Sequence, residues 1–187
     1  MAWDDEGAYL ANTCYFIPTR EKWLLGVLLS GAMQFYVQKT IGSDEGGFIR
    51  LFAMHVKKFP IPHADEKQRA AIEHLVEYLL WLNRSGVLNG DLPDSGGGTL
   101  LAGYFEQWLN ALVYELFFPE SLHAAHLQFF ALFEAAALKP LAAMESGTEL
   151  DYLRAQFKEL YRPDHTLRQS LFALDSIEEI RIIEGKP

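Results

Sequence analysis

The sequence predicts a mainly α-helical protein of the α+β class, in which a helical bundle carries a small two-stranded β element near the N-terminus. Three observations predict it. Apolar residues recur at helical spacing over residues 66–84 and again over most of residues 100–187. Two short runs of β-branched and aromatic residues, at 12–17 and 48–52, are typical of strands. A glycine-rich stretch, residues 85–99, separates the two helical parts.

The first strand, 12–17, is followed by a predicted helix over 23–30. Thr19 can cap this helix, because a threonine hydroxyl accepts hydrogen bonds from the first free N–H groups of a helix. Gly31 interrupts the apolar pattern, so a second helical segment is predicted from 32 to about 41.

The second strand, 48–52, is expected to pair with the first. The proline-locked turn 59–62 then holds the chain extended, because proline fixes its own φ and restricts the residue before it. A helix over 66–84 is predicted next. Asp65 and Gln68 have the spacing of a capping box at its start.

Residues 85–99 contain five glycines and a proline, which is typical of a linker or a mobile loop. From residue 100 onward the sequence predicts antiparallel helices with short connections. Pro119 is placed to start a second helix of this part, and the isoleucines at the C-terminal end are expected to pack back on the body. The apolar positions of the first of these helices are Leu101, Phe105, Trp108, Leu109, Leu112, Val113 and Leu116.

Composition limits the function classes. Half of the residues are apolar and 13% are aromatic, which is enough for a packed core. The single cysteine, Cys14, excludes an internal disulfide framework and is expected to be a buried thiol. His123 and His126 lie three positions apart without a metal-binding signature, so no metal site is predicted. The acidic start and the absence of a long apolar stretch favour a cytoplasmic protein.

A set of motifs in fixed order resembles a known family. The set consists of Tyr15 to Pro18, Gly46 to Arg50 and Lys58 to Pro62, with an apolar helix after the first motif and an acidic-start helix after the last. It resembles the TaqI-like C-terminal specificity (target-recognition) domain of N6-adenine DNA methyltransferases of the type II restriction–modification and phage-defence kind. The resemblance covers about residues 9–84. The remainder is more loosely similar to the helical tail of longer members.

The resemblance implies a parent enzyme that uses S-adenosylmethionine to methylate adenine in duplex DNA. An Asn/Asp-Pro-Pro-Tyr/Phe loop and a cofactor-binding glycine turn are not present in these 187 residues. We therefore expect a non-catalytic fragment whose partner is an upstream catalytic methyltransferase domain, with or without a fused endonuclease. The expected organisation is a target-recognition tail (1–62), a connecting helix (63–84), a flexible linker (85–99) and a C-terminal helical module (100–187).

Charge is distributed unevenly along the chain. The net charge of the whole chain is −9, but residues 19–62 alone carry a net charge of +3. Any surface that binds DNA phosphates is therefore expected within 19–62. The candidate DNA-binding residues are Arg50, Lys57, Lys58 and Lys39, with Arg20 and Lys22 on the same face and Phe48 and Tyr36 for stacking. The other interpretation is a solvated rim whose lysine stems cover the core.

A second hypothesis belongs to another class of function. The aromatic-rich region 100–133 and the acidic surface of the helical part are compatible with a protein–protein interaction module that has no nucleic-acid role. Such a module would bind a partner protein or self-associate.

Overall fold

The computed structural model of the chain describes residues 2–9, 16–41, 51–88 and 98–186. In these ranges the regular structure consists of ten α-helices and two short 3₁₀ turns, at Leu141–Ala143 and Leu174–Ser176. The helices are α1 (Lys22–Leu29), α2 (Gly31–Thr40), α3 (Ala53–Val56), α4 (Glu66–Arg84), α5 (Gly98–Phe117), α6 (Pro119–Ala124), α7 (Phe129–Ala136), α8 (Glu149–Leu160), α9 (Thr166–Ala173) and α10 (Glu178–Ile183).

The centre of the fold is the pair of long helices α4 and α5. Helix α1 packs on α4, and α2 lies against both α1 and α5. The side chains of Tyr78 on α4 and Phe105 on α5 are completely buried, and their rings meet edge to face with centroids 5.5 Å apart. One apolar core therefore joins the N-terminal helices to the C-terminal ones.

The predicted helix over 66–84 is confirmed as α4. The carboxylate of Asp65 accepts the N–H of Gln68 (2.8 Å), and the Gln68 side chain accepts the N–H of Asp65 (2.9 Å). This reciprocal pair is the predicted capping box, and it satisfies two donors at the helix start. The break near Gly31 is also confirmed, because α1 ends at Leu29 and the Ser30 hydroxyl caps α2. The Thr19 hydroxyl instead accepts the N–H of Glu21, one residue before α1 begins.

The mainly α part of the predicted fold class is confirmed, but the small two-stranded β element is not seen among the described residues. Residues 10–15 and 42–50 lie outside them, as do Cys14 and most of both predicted strands. The described ends of those strands, 16–17 and 51–52, are not in strands. At the second of these, Phe52 is extended and the chain then turns directly into α3. A local hydrogen bond closes this turn, since the N–H of Phe52 donates to Nδ1 of His55 (3.3 Å).

The single helix predicted after Pro119 is in fact two, α6 and α7. The backbone reverses between them, where His126 has a φ of +60°. The buried carboxylate of Glu115 on α5 accepts the N–H groups of Phe129 (2.6 Å) and Phe130 (3.0 Å). A carboxylate at a helix N-terminus compensates for free N–H groups and the positive end of the helix dipole. Tertiary capping by Glu115 therefore starts α7, and no local sequence pattern indicates it.

Of the predicted linker 85–99, residues 89–97 lie outside the described ranges. At the described edges, Val87 is buried and Gly98 lies so close to it that a Cβ at 98 would overlap the valine. The two ends of the segment are therefore in contact.

The C-terminal end packs on the body, as predicted. Ile177 and Ile180 are buried, and α10 contacts α2. A hydrogen bond from the Ser121 hydroxyl to Glu179 (2.6 Å) links α6 to α10. Among the described helices, none is both long and apolar enough to cross a lipid bilayer.

Candidate nucleic-acid interface

The segment Leu51–Phe59, which we call the α3 tip, lies at the surface and packs on the core through Leu51, Val56 and Phe59. The helix α3 at its centre has no buried residue. On its C-terminal side the chain turns through Lys57 and Lys58 into Phe59, whose ring is buried in the core. Backbone hydrogen bonds from Lys57 to Ala53 (3.1 Å) and from Lys58 to His55 (2.9 Å) fix that turn. The tip is thus a short, internally hydrogen-bonded surface segment that rests on the core.

Helix α2 supports the α3 tip through Tyr36. The Tyr36 hydroxyl donates to the backbone carbonyl of Lys58 (3.1 Å), and its ring meets Phe59 edge to face with centroids 6.2 Å apart. Lys39 lies three positions after Tyr36, which is about one helical turn, on the same helix. Its ammonium group is 5.5 Å from the centroid of the Phe35 ring. The structure therefore brings the helix that carries Lys39 into contact with the turn that carries Lys57 and Lys58.

Three of the four predicted DNA-binding residues are described, and all three are exposed: Lys39, Lys57 and Lys58. Within the described ranges none of them forms an ion pair with a carboxylate. Arg50 and the predicted stacking residue Phe48 lie outside the described residues. Whether these side chains contact DNA stays a prediction.

Two further basic residues, Lys22 and Arg20, and the second stacking candidate, Tyr36, have different surroundings. The ammonium of Lys22 is 2.6 Å from a carboxylate oxygen of Glu77 on α4, and both side chains are partly buried. This pair makes Lys22 part of the α1–α4 contact. Arg20 is exposed in the segment before α1. The ring of Tyr36 meets Phe59 edge to face, so Tyr36 supports the tip in this structure, and its stacking on a base stays a prediction.

The two segments that meet at Tyr36 carry no carboxylate. Neither residues 22–41, which include α2, nor residues 51–64, which include the α3 tip, contain an aspartate or a glutamate, although the whole chain has 25. Exposed lysines on segments that carry no acids are the electrostatic feature that binding to phosphates requires. The net charge of residues 19–62 does not reveal that these two segments lack acids, because Asp44 and Glu45, which lie between them, are included in it.

Sequence reasoning missed two exposed apolar residues at this surface. The sequence pattern predicts a strand at Phe52, and Met54 is not among the predicted site residues. In the structure Phe52 is 49% exposed and Met54 is 61% exposed. The signal available in the sequence was the position of both residues within a stretch that has lysines and no acids.

The described part of the chain has clefts but no cluster of metal-binding side chains. It contains no group of three or more His, Cys, Asp or Glu side chains that could hold a metal ion. One described cleft, of about 410 Å³, has Trp81 in its lining together with two ion pairs, Lys22 with Glu77 and Arg84 with Asp5. These charged groups already have partners. There is also no strand followed by a glycine-rich turn in the described ranges, so no described residue is assigned to S-adenosylmethionine.

Comparison with known proteins identifies a domain in the N-terminal third of the chain. No curated protein and no solved structure matches the chain. A family model does match, and its match ends one residue beyond Pro60, within the proline turn that follows the α3 tip. It covers α1, α2 and the α3 tip, and it stops short of the 9–84 range expected from the motifs. Residues 1–61 are a TaqI-like C-terminal specificity domain.

Proposed function

We propose that this chain is the non-catalytic C-terminal target-recognition and support region of an adenine-specific DNA methyltransferase. The observation that carries the proposal is the match of residues 1–61 to the TaqI-like specificity domain. That domain is typically found in adenine methyltransferases, where it has a role in recognising DNA.

The surface chemistry of the matched region supports a DNA role. Lys39, Lys57 and Lys58 are exposed, and the helix and the tip that bear them meet at Tyr36. In this proposal the three ammonium groups contact phosphates, and Arg50 contacts phosphate or a guanine edge. The acidic remainder of the chain faces away from the duplex.

The helical part would act as a support. Helix α2 packs against α5 and α10. The carboxamide oxygen of Asn110 on α5 accepts the N–H of Gly31 at the start of α2 (2.9 Å). The Tyr114 hydroxyl lies so close to Gly31 that a Cβ there would be 2.5 Å from its oxygen. These contacts fix the position of the helix that carries Lys39.

In the same proposal, catalysis belongs to an upstream methyltransferase domain that binds S-adenosylmethionine and receives the flipped adenine. This chain contributes affinity and orientation on the duplex, and its partners are that domain and the DNA.

The experiment is a titration of fluorescent duplex DNA with the intact protein at several salt concentrations. Lys57→Ala/Lys58→Ala should weaken binding at low salt. It should also reduce the slope of log K against log salt by about 2, because two phosphate contacts are lost. Arg50→Ala and Lys39→Ala should each reduce the slope by about 1.

The matched control is Lys139→Ala/Lys158→Ala, which removes the same charge from exposed lysines outside the matched region. It should leave the salt slope unchanged. Equal salt slopes for the two double variants would show that Lys57 and Lys58 have no special role in binding DNA.

A further inference from the structure

Exposed apolar side chains are concentrated in the family-matched part of the chain. Seven of the ten large apolar side chains that are exposed among the described residues lie within residues 1–61. Two of them, Phe52 and Met54, are two positions apart on the α3 tip. Single exposed apolar residues are common on protein surfaces, but two of them on one short segment are more often part of an interaction site.

Hydrogen bonds and a ring contact within the tip fix the chain around Phe52 while the side chain stays partly exposed. The His55 ring accepts the N–H of Phe52 and also meets the Phe52 ring edge to face, with centroids 5.6 Å apart. The N–H groups of His55 (2.8 Å) and Val56 (3.2 Å) both donate to the Phe52 carbonyl. Leu51, Val56 and Phe59 pack on the core, whereas about half of Phe52 and more than half of Met54 stay exposed. The fold orders two apolar side chains without burying them.

The charges around the tip indicate what covers it. Lys57 and Lys58 follow Met54 within about one helical turn, and both are exposed. No acid occurs from Leu51 to Ala64. An apolar protein surface offers no partner for the two ammonium groups, which would lose their hydration on binding. A nucleic-acid duplex offers phosphates to the lysines and apolar base faces to Phe52 and Met54.

We propose that the α3 tip is an apolar wedge that enters a base step of duplex DNA, with Met54 and Phe52 against the bases and Lys57 and Lys58 on the adjoining phosphates. The proposal rests on the proposed function and adds the mode of contact. Side chains of this kind partly unstack a base step and bend the duplex. The wedge would thus give the specificity region a means of reading how easily a sequence deforms.

The wedge and the lysines make opposite predictions for salt dependence. Phe52→Ala/Met54→Ala in the intact protein should weaken duplex binding by about tenfold, as expected when a base loses an apolar contact. The salt slope should stay that of the wild type, because no charge is removed. Met54→Gln keeps the length of the side chain and should lose part of the affinity. Since α3 has no buried residue, these variants should keep the wild-type circular dichroism spectrum.

The matched control is Leu100→Ala/Phe172→Ala, which truncates two equally exposed apolar residues outside the matched region. It should bind DNA like the wild type. A duplex that contains 2-aminopurine at base pairs other than that of the flipped adenine should become more fluorescent with the wild type and the control, because unstacking relieves quenching, but not with the Phe52/Met54 variant.

A photocrosslinker at position 54 identifies the occupant directly. Crosslinks to bases support the wedge. Crosslinks to a second copy of the chain or to another part of the protein would overturn it, and so would wild-type affinity in Phe52→Ala/Met54→Ala. If the lysine variants still change the salt slope in that case, the DNA role stands and only the wedge is wrong.

Discussion

At the scale of single residues, buried polar side chains tie distant parts of the chain together. The backbone carbonyl of Lys139 accepts two hydrogen bonds from α4, one from the Tyr78 hydroxyl (2.5 Å) and one from Nε2 of His74 (3.2 Å). The N–H of Lys139 donates to the Tyr152 hydroxyl on α8 (2.8 Å). One loop residue thus connects α4 to α8. Burial raises the pKa of Tyr78, so its hydroxyl stays a donor at all ordinary pH values.

His74 should make the stability of this protein depend on pH. Burial lowers the pKa of His74 below its usual 6.5, and this effect exceeds the opposing effects of the Lys139 carbonyl and of Glu77. The unfolded state therefore binds a proton more readily than the folded state. The contribution of neutral His74 is fully present above about pH 6.5 and is lost as the pH falls through the lower folded-state pKa.

The measurement is the free energy of unfolding in denaturant between pH 7 and pH 5. His74→Gln keeps a donor for the Lys139 carbonyl but does not titrate, so its stability should fall less over this range. His63→Gln, which removes an exposed histidine, should fall as steeply as the wild type. Parallel pH curves for His74→Gln and the wild type would contradict the assignment.

At the scale of elements, close helix packing depends on where glycine is placed. Helix α1 approaches α4 and α5 at Gly26. A Cβ at this position would lie 2.8 Å from Cγ2 of Ile72 and 2.9 Å from Cγ2 of Val76. Both neighbours are buried, so neither can move freely. The hydrogen of glycine lets the two helices meet.

The same substitution at two helical glycines should therefore have opposite signs. Gly26→Ala should destabilise the protein by about 1–3 kcal/mol, because the added methyl overpacks the α1–α4 contact. Gly103→Ala lies on the exposed face of α5 with no atom within 4 Å of the added Cβ. It should stabilise by about 0.5–1 kcal/mol, since glycine loses more backbone entropy in a helix than alanine does. Chemical denaturation of both variants tests this, and a loss of stability at position 103 would refute the packing argument.

At the scale of the whole molecule, one core crosses the boundary between the family-matched region and the rest. Trp23 and Val27 of α1 belong to the same buried cluster as Trp108 of α5 and Ile180 of α10. The division at 62, 84 and 99 stays a prediction about evolutionary and functional parts. The shared core leads us to expect that these parts unfold together.

Native-state hydrogen exchange measures this. The slowest amides of α1, α4 and α5 should share one opening free energy. Each of these helices is buried by the other two, so unfolding of one exposes the apolar face of the others. An α1 whose amides all exchange through a much smaller opening than those of α5 would show that the matched region unfolds separately.

The sequence alone predicted the helices whose signals are local. The ends of α4 follow from Asp65, Gln68 and the apolar face between them, and the apolar stripe of α5 predicts its burial. The ordered motifs also predicted the family, which the match over residues 1–61 bears out. The positive character of 19–62 was visible in the sequence as well.

What the tertiary structure decided depends on contacts between residues far apart in the chain. Periodicity could not show that Glu115 would cap α7, that Lys22 would be used by Glu77, or that Phe52 would begin a helix and stay in solvent. Local patterns report the propensity of a segment, whereas burial and ion pairing depend on which other segment lies against it. The sequence therefore determined where the basic residues lie along the chain, and packing decided which of them form ion pairs within the protein and which stay exposed.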